Sequence, residues 1–292
     1  MKNLIVATTA INRPELHNEN MKEWCEWIKE VNKKVTRGQK QYNITWFINI
    51  DNIDELQATY KETKLNLRSL IKDVEITFLR SEDNKGNFLK ACQRVAENIE
   101  NYVSTNNLNL DETLILWLED DWKLNQSSKI LLREIIDCYV SNLTHVNFSF
   151  IRNNYIHALA PGIMNYNLWK KLHYIAWTNQ KSHIDPEHCV GLYYNSNFPL
   201  KQNDLFNLTV ITKHKKTGKD FYESKFLNYK NSFYTYHEEK RENPIIKENY
   251  IHKSDIIDLE VFKDKPLFVR ITGGFSSDLG RNFMKDKFYK KT

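Results

Sequence analysis

Three consecutive acids, Glu119-Asp120-Asp121, directly follow the apolar run TLILWL of residues 113–118. Carboxylates packed this closely raise one another's pKa. A divalent cation removes that penalty, and hard cations such as magnesium or manganese prefer oxygen ligands. A cation held there would also neutralise phosphate charge on a substrate. The plainer role for the same residues is a solvated acidic turn that caps the next helix. Other residues able to bind or do chemistry lie in TTAINRP (residues 8–14), at Asp51, in DNKGNFLKACQR (residues 83–94) and in HIDPE (residues 183–187).

The elements that must position these residues are legible as hydrophobic periodicity. Residues 3–8, 43–50, 74–79 and 113–118 read as strands. The last is apolar at consecutive positions, which marks a strand buried on both faces, as in a parallel sheet. Helices are expected between them. One starts near Pro14 and carries Met21, Trp24, Ile28, Val31 and Val35; one is capped by Asp54 and carries Leu56, Tyr60, Leu67 and Ile71. A third carries Leu89, Cys92, Ala96 and Ile99, and a fourth opens at Ser127-Ser128. Strands alternating with helices predict a doubly wound α/β domain, in which ligands bind beyond the C-terminal ends of the strands. Thr8-Thr9, Asp51, the SEDNKGN turn and the acid cluster all fall at those ends. Beyond residue 145 the alternation weakens. HVNFSFI reads as a further strand, and residues 186–194 as a short helix.

LILWLEDDW resembles the DxD-type metal motif of nucleotide-sugar-dependent glycosyltransferases of the GT-A fold, in its EDD form. The resemblance extends over residues 3–190 in element order and is specific around 113–124. It implies a GT-A-like, Rossmann-like, mostly parallel sheet flanked by helices, with an elaborated C-terminal acceptor region. The chain is then one domain, with residues 1–125 as the nucleotide-sugar-binding half and 126–292 as the acceptor-binding half and C-terminal extension. By the same resemblance, Asp121 binds Mn²⁺ or Mg²⁺ bridging the donor diphosphate. Glu119 and Asp120 hold ribose, sugar hydroxyls or metal-bound water. Thr8, Thr9 and Arg13 cradle the nucleotide, and Asp51 contacts the base. Lys85, Lys90 and Arg94 approach phosphate or sugar. His252 or His237 completes the metal set. The implied partners are a nucleotide-sugar donor, a UDP-sugar foremost, and a carbohydrate acceptor. Inverting members place a carboxylate at a helix start as general base, which points to Glu187 or Asp185. Asp185 precedes Pro186 and suits an N-cap, so Glu187 is the preferred base. The tryptophans are expected mostly in the core, with one or two of Trp117, Trp122, Trp169 and Trp177 lining the acceptor site, and Gly273-Gly274 with Arg281 form either a loop over the diphosphate or a turn before a terminal helix.

Composition narrows the classes. The net charge of +5, from 42 basic and 37 acidic residues, is too mild to indicate nucleic acid. Cys25, Cys92, Cys138 and Cys189 form no CxxC pair, so reduced thiols are expected rather than a zinc knuckle or disulfide framework. The apolar stretch at the start is too short for a signal peptide, and no run approaches the roughly 18 apolar residues of a membrane helix. A cytoplasmic location is the expectation. Among rivals, a metal-dependent nucleotidyltransferase would carry a glycine-rich loop after the first strand, and TTAINRPEL has no glycine. A metal-dependent nuclease would pair its acids with a lysine and a stronger basic face, and a non-catalytic carbohydrate-binding protein would have no use for the acid cluster.

Overall fold

The computed structural model describes residues 2–33, 41–81, 86–124, 131–140, 145–150, 161–179, 186, 209–213, 220–224, 227–229 and 268–270. Within these, β1 (Lys2–Ile11), β2 (Tyr42–Asp51), β3 (Glu75–Arg80) and β4 (Thr113–Glu119) alternate with α1 (Pro14–Lys29), α2 (Tyr60–Leu70) and α3 (Phe88–Thr105). β1 pairs in parallel with β2 on one side and β4 on the other, and β2 pairs in parallel with β3. The order at this end of the sheet is therefore β3-β2-β1-β4. The chain moves outward twice, then crosses back over β1. Right-handed crossovers then require α1 and α2 on one face and α3 on the other, and the packing agrees.

Alternate residues of each strand serve opposite cores. Leu4, Val6, Leu114, Leu116 and Leu118 face Met21, Trp24 and Ile28 of α1 and Leu67 of α2. Ile5, Ala7, Ile115 and Trp117 face Leu89, Val95, Ala96 and Ile99 of α3. The strands are thus sealed on both faces, as the consecutive apolar runs require.

The sheet continues with mixed pairings. β7 (Gly162–Asn165) pairs antiparallel with β4 and with β6 (His145–Phe150). β11 (Phe268–Arg270) pairs in parallel with β6 and antiparallel with β5 (Trp122–Leu124), and β10 (Leu227–Tyr229) pairs in parallel with β6. β8 (Thr209–Lys213) and β9 (Asp220–Ser224) form a separate hairpin. α4 (Leu132–Tyr139) packs on the first core through Leu132, Ile135 and Ile136. After β7, the short α5 (Tyr166–Trp169) and α6 (Ile175–Thr178) are joined by one π-helical turn and cover the second core.

Three expectations shift. The second helix begins at Tyr60, not near Asp54. Thr59 is its N-cap and forms a capping box with Glu62, Thr59 Oγ1 accepting from the Glu62 amide and the Glu62 carboxylate accepting from the Thr59 amide. The acid cluster does not lead straight to a helix; it is a turn into β5. The fourth helix starts at Leu132, while Ser127-Ser128 and residues 187–194 lie outside the described residues. No helix among the described residues is long and apolar enough to cross a membrane.

Candidate functional site

β1 and β4 are the strands between which the winding reverses, so the crevice beyond their C-terminal ends is where an open α/β sheet binds ligands. The acid cluster is at that place. Thr9 lies beside Glu119 in register, and the Thr9 carbonyl accepts the Asp120 amide at 3.2 Å.

The three acids have different surroundings. Asp120 is 5% exposed and is gripped by the start of α1. Its carboxylate accepts from Arg13 Nε at 2.9 Å and Nη2 at 2.5 Å, and from the Ile11 amide at 3.2 Å, and His17 Nε2 stands 3.1 Å from Oδ2. Arg13 is 3% exposed and His17 is sealed from solvent. Burial opposes ionisation of Asp120. The Arg13 charge, with hydrogen bonds from His17 and Arg13, outweighs it and holds the carboxyl well below the usual carboxylate range. Asp120 and Arg13 therefore form a closed, bidentate pair that ties the acid turn to α1. Glu119 is half-buried and accepts from the Trp122 indole at 3.2 Å. Asp121 is 4% exposed, at the tip of the turn between β4 and β5.

A second polar network occupies the C-terminal end of β2. Asp51 is buried, and its Oδ1 accepts from the Asn49 amide at 2.9 Å and from the Arg94 guanidinium. Its Oδ2 accepts the Asn87 backbone amide at 3.0 Å, and Arg94 Nε reaches Asn49 Oδ1 at 2.8 Å. Asn87 caps α3, accepting from the Lys90 amide. Gly86, just before it, has φ +67°, and a Cβ there would stand 2.4 Å from Ile53 Cδ1. Asp51 and Arg94 thus fix the turn that delivers α3 to the strand ends.

The other sequence-derived residues are distributed unevenly. The Thr8 hydroxyl faces away from the crevice and accepts the Trp46 indole at 2.8 Å in the interior. Lys90 is exposed on the first turn of α3. Trp117, Trp169 and Trp177 are buried in the second core and Trp122 in the first, as expected for most of the tryptophans, and none of the four is an exposed ring. Lys85, Asp185, Glu187, His237, His252, Gly273, Gly274 and Arg281 lie outside the described residues. Three site residues have no counterpart in the sequence reading: Asn12, His17 and Asn20. Asn12 clamps the β2–α2 loop, donating to the Ile53 and Ala58 carbonyls and accepting the Ile53 amide at 2.7 Å. Asn20 donates to the Asp120 and Trp122 carbonyls at 2.7 and 2.9 Å. For His17 and Asn20 the available signal was polar residues on the buried face of α1, at helical spacing with Trp24.

No protein-family model matches the sequence, and no curated protein matches it. Among solved structures, the chain is similar to a glycosyltransferase involved in the glycosylation of the major capsid of PBCV-1. That match has 13% identity, covers 67% of this chain and 76% of the other, and has a TM-score of 0.36. It is also similar to mouse xyloside xylosyltransferase 1 in its apo form, at 8% identity, over 67% of this chain and 82% of that one, with a TM-score of 0.31.

Proposed function

We propose that this chain is a glycosyltransferase that moves a sugar from a nucleotide-diphosphate donor, a UDP-sugar, to a carbohydrate or glycoconjugate acceptor, with inversion and with the help of Mn²⁺ or Mg²⁺. The observation that carries the reading is the seat of Glu119-Asp120-Asp121 at the reversal point of the sheet, in a turn whose middle carboxylate is already neutralised by Arg13. With that charge compensated inside the protein, the turn carries less repulsion than three adjacent anions would.

The donor set fits a cation that the substrate helps to hold. No group of three or more His, Cys, Asp or Glu side chains able to hold a metal occurs among the described residues. Magnesium bound to nucleotides needs no such cage: one or two carboxylates with phosphate oxygens and water suffice. Asp121 would supply that carboxylate. A cation held there would supply neutralisation of charge on the diphosphate leaving group. Glu119, whose carboxylate accepts from the Trp122 indole, would accept from a ribose or sugar hydroxyl. Arg13 and Asp120 act as the brace behind the turn rather than as ligand contacts. Asp51 and Arg94 do the same for the α3 turn. The base that takes the acceptor proton is Glu187, with Asp185 as the alternative, since a carboxylate within hydrogen-bond reach of the hydroxyl is what inversion requires.

Thermal unfolding with UDP, with and without manganese, tests this reading. UDP at about 100 times its dissociation constant adds roughly 2.7 kcal/mol, and this stabilisation should vanish in EDTA. Stabilisation that survives EDTA removes the metal from the account. No response to any nucleotide diphosphate or nucleotide sugar removes the function.

A further inference from the structure

We propose that Asn20 is a positioning residue for Asp121, an inference that rests on the metal-linked reading above. Its side chain is fully buried on α1. Its amide nitrogen donates to the carbonyl of Asp120 at 2.7 Å and to that of Trp122 at 2.9 Å. Those carbonyls stand on either side of Asp121 in the chain. Two carbonyl acceptors identify the facing atom as the nitrogen, since a carbonyl has nothing to donate.

The rest of the turn is tied to the same helix. Arg13 and His17 hold the Asp120 side chain, and the Thr9 carbonyl holds its amide. These contacts fix where the turn begins. Of the α1 side chains that meet the turn, Asn20 also grips the chain beyond Asp121, on the side where β5 pairs with β11 and the Trp122 indole reaches Glu119, and so it helps set the direction in which the Asp121 carboxylate leaves the backbone. The buried face of α1 is divided accordingly. Met21, Trp24 and Ile28 pack on the sheet, while Arg13, His17 and Asn20 meet the acid turn. The Asn20 side-chain oxygen is buried with no hydrogen-bond partner among the described residues. A polar group left half-satisfied in the interior costs stability, and an apolar residue would suit that face better if packing were its only task. Groups that orient a metal ligand without touching the metal typically change affinity by about 10- to 100-fold when removed.

The experiment compares the manganese concentration giving half-maximal stabilisation by UDP in the wild type, Asn20→Ala and Asn32→Ala. Asn32 makes a similar set of bonds to Gln41 and Tyr42 at the opposite end of the sheet. Asn20→Ala should raise the manganese requirement about 10- to 100-fold, while Asn32→Ala should lower the melting temperature and leave that requirement unchanged. If Asn20→Ala does not fold, Asn20→Ser carries the test; its hydroxyl keeps a donor, and an intermediate rise is expected. A manganese requirement equal to wild type in a folded Asn20 variant overturns the inference alone, and so does an equal rise in Asn32→Ala. A wild type with no manganese-linked response overturns the functional reading and this inference together.

Discussion

Replacing Arg13 by Met tests whether the acid turn is braced from within. The substitution keeps the length of the side chain and deletes the charge. Asp120 would keep the Ile11 amide and His17, but lose the bonds now made at 2.9 and 2.5 Å by the guanidinium. With both partners almost wholly buried, at 3% and 5% exposure, little water can take over. Breaking a buried pair by removing one partner costs roughly 3–5 kcal/mol, because a charge is left uncompensated. At about 2 °C per kcal/mol for a domain of this size, the melting temperature should fall by about 6–10 °C. Urea unfolding at neutral pH gives the free energy directly. Adding Asp120→Asn to Arg13→Met should recover much of the loss, because the stranded charge is gone, and the coupling between the two sites should be clearly non-additive. A loss under about 1 kcal/mol, the level of an exposed ion pair, would refute the argument that this pair is sealed from solvent. Full stability with UDP binding lost would instead make Arg13 a phosphate contact.

Other outcomes follow from single contacts. Asp121→Asn should abolish sugar transfer, measured with a radiolabelled donor, and leave the melting temperature near wild type; unfolding would make the acid structural. Glu187→Gln should lower turnover by about two to four orders of magnitude with donor binding intact, and Asp185→Asn should do little; the reverse result reassigns the base. Gly86→Ala forces a side chain into a left-handed conformation and against Ile53, so a loss of about 1–3 kcal/mol in chemical denaturation is expected. Thr59→Ala removes the capping box of α2 and should cost about 1 kcal/mol in the same assay; no change would show that the cap is redundant.

The parts of the fold visible in the sequence were those governed by local pattern. β1 and β4 are apolar at consecutive positions because both faces are covered, whereas β3, at the sheet edge, is only partly buried. The second helix was displaced because Asp54 looks like a cap. The stronger signal was Thr59 with Glu62, a reciprocal pair of bonds. β5 is three residues long, too short to show alternation, and its antiparallel partner Phe268–Arg270 is remote in the chain. The acid cluster was legible as a strand-end group. The separate duties of its members were not, because Asp120 takes its meaning from Arg13 and His17, over a hundred positions earlier. The tryptophans were legible as core residues; which core each ring enters is set by strand and helix register, which spacing alone does not reveal.

The pairing of β1 with β4 also bears on how the chain emerges from the ribosome. β1, β2 and β3 with their helices are synthesised first, and can assemble into a half-sheet. Until residues 113–119 follow, the other edge of β1 has no strand beside it, and Arg13 has no carboxylate. An apolar strand with an open edge invites association with other chains, and distant strand pairing is slow to form. A nascent chain of this protein therefore passes through a window, closed only when β4 docks, in which it is at greatest risk of aggregation. Pausing of translation just before β4 would lengthen that window.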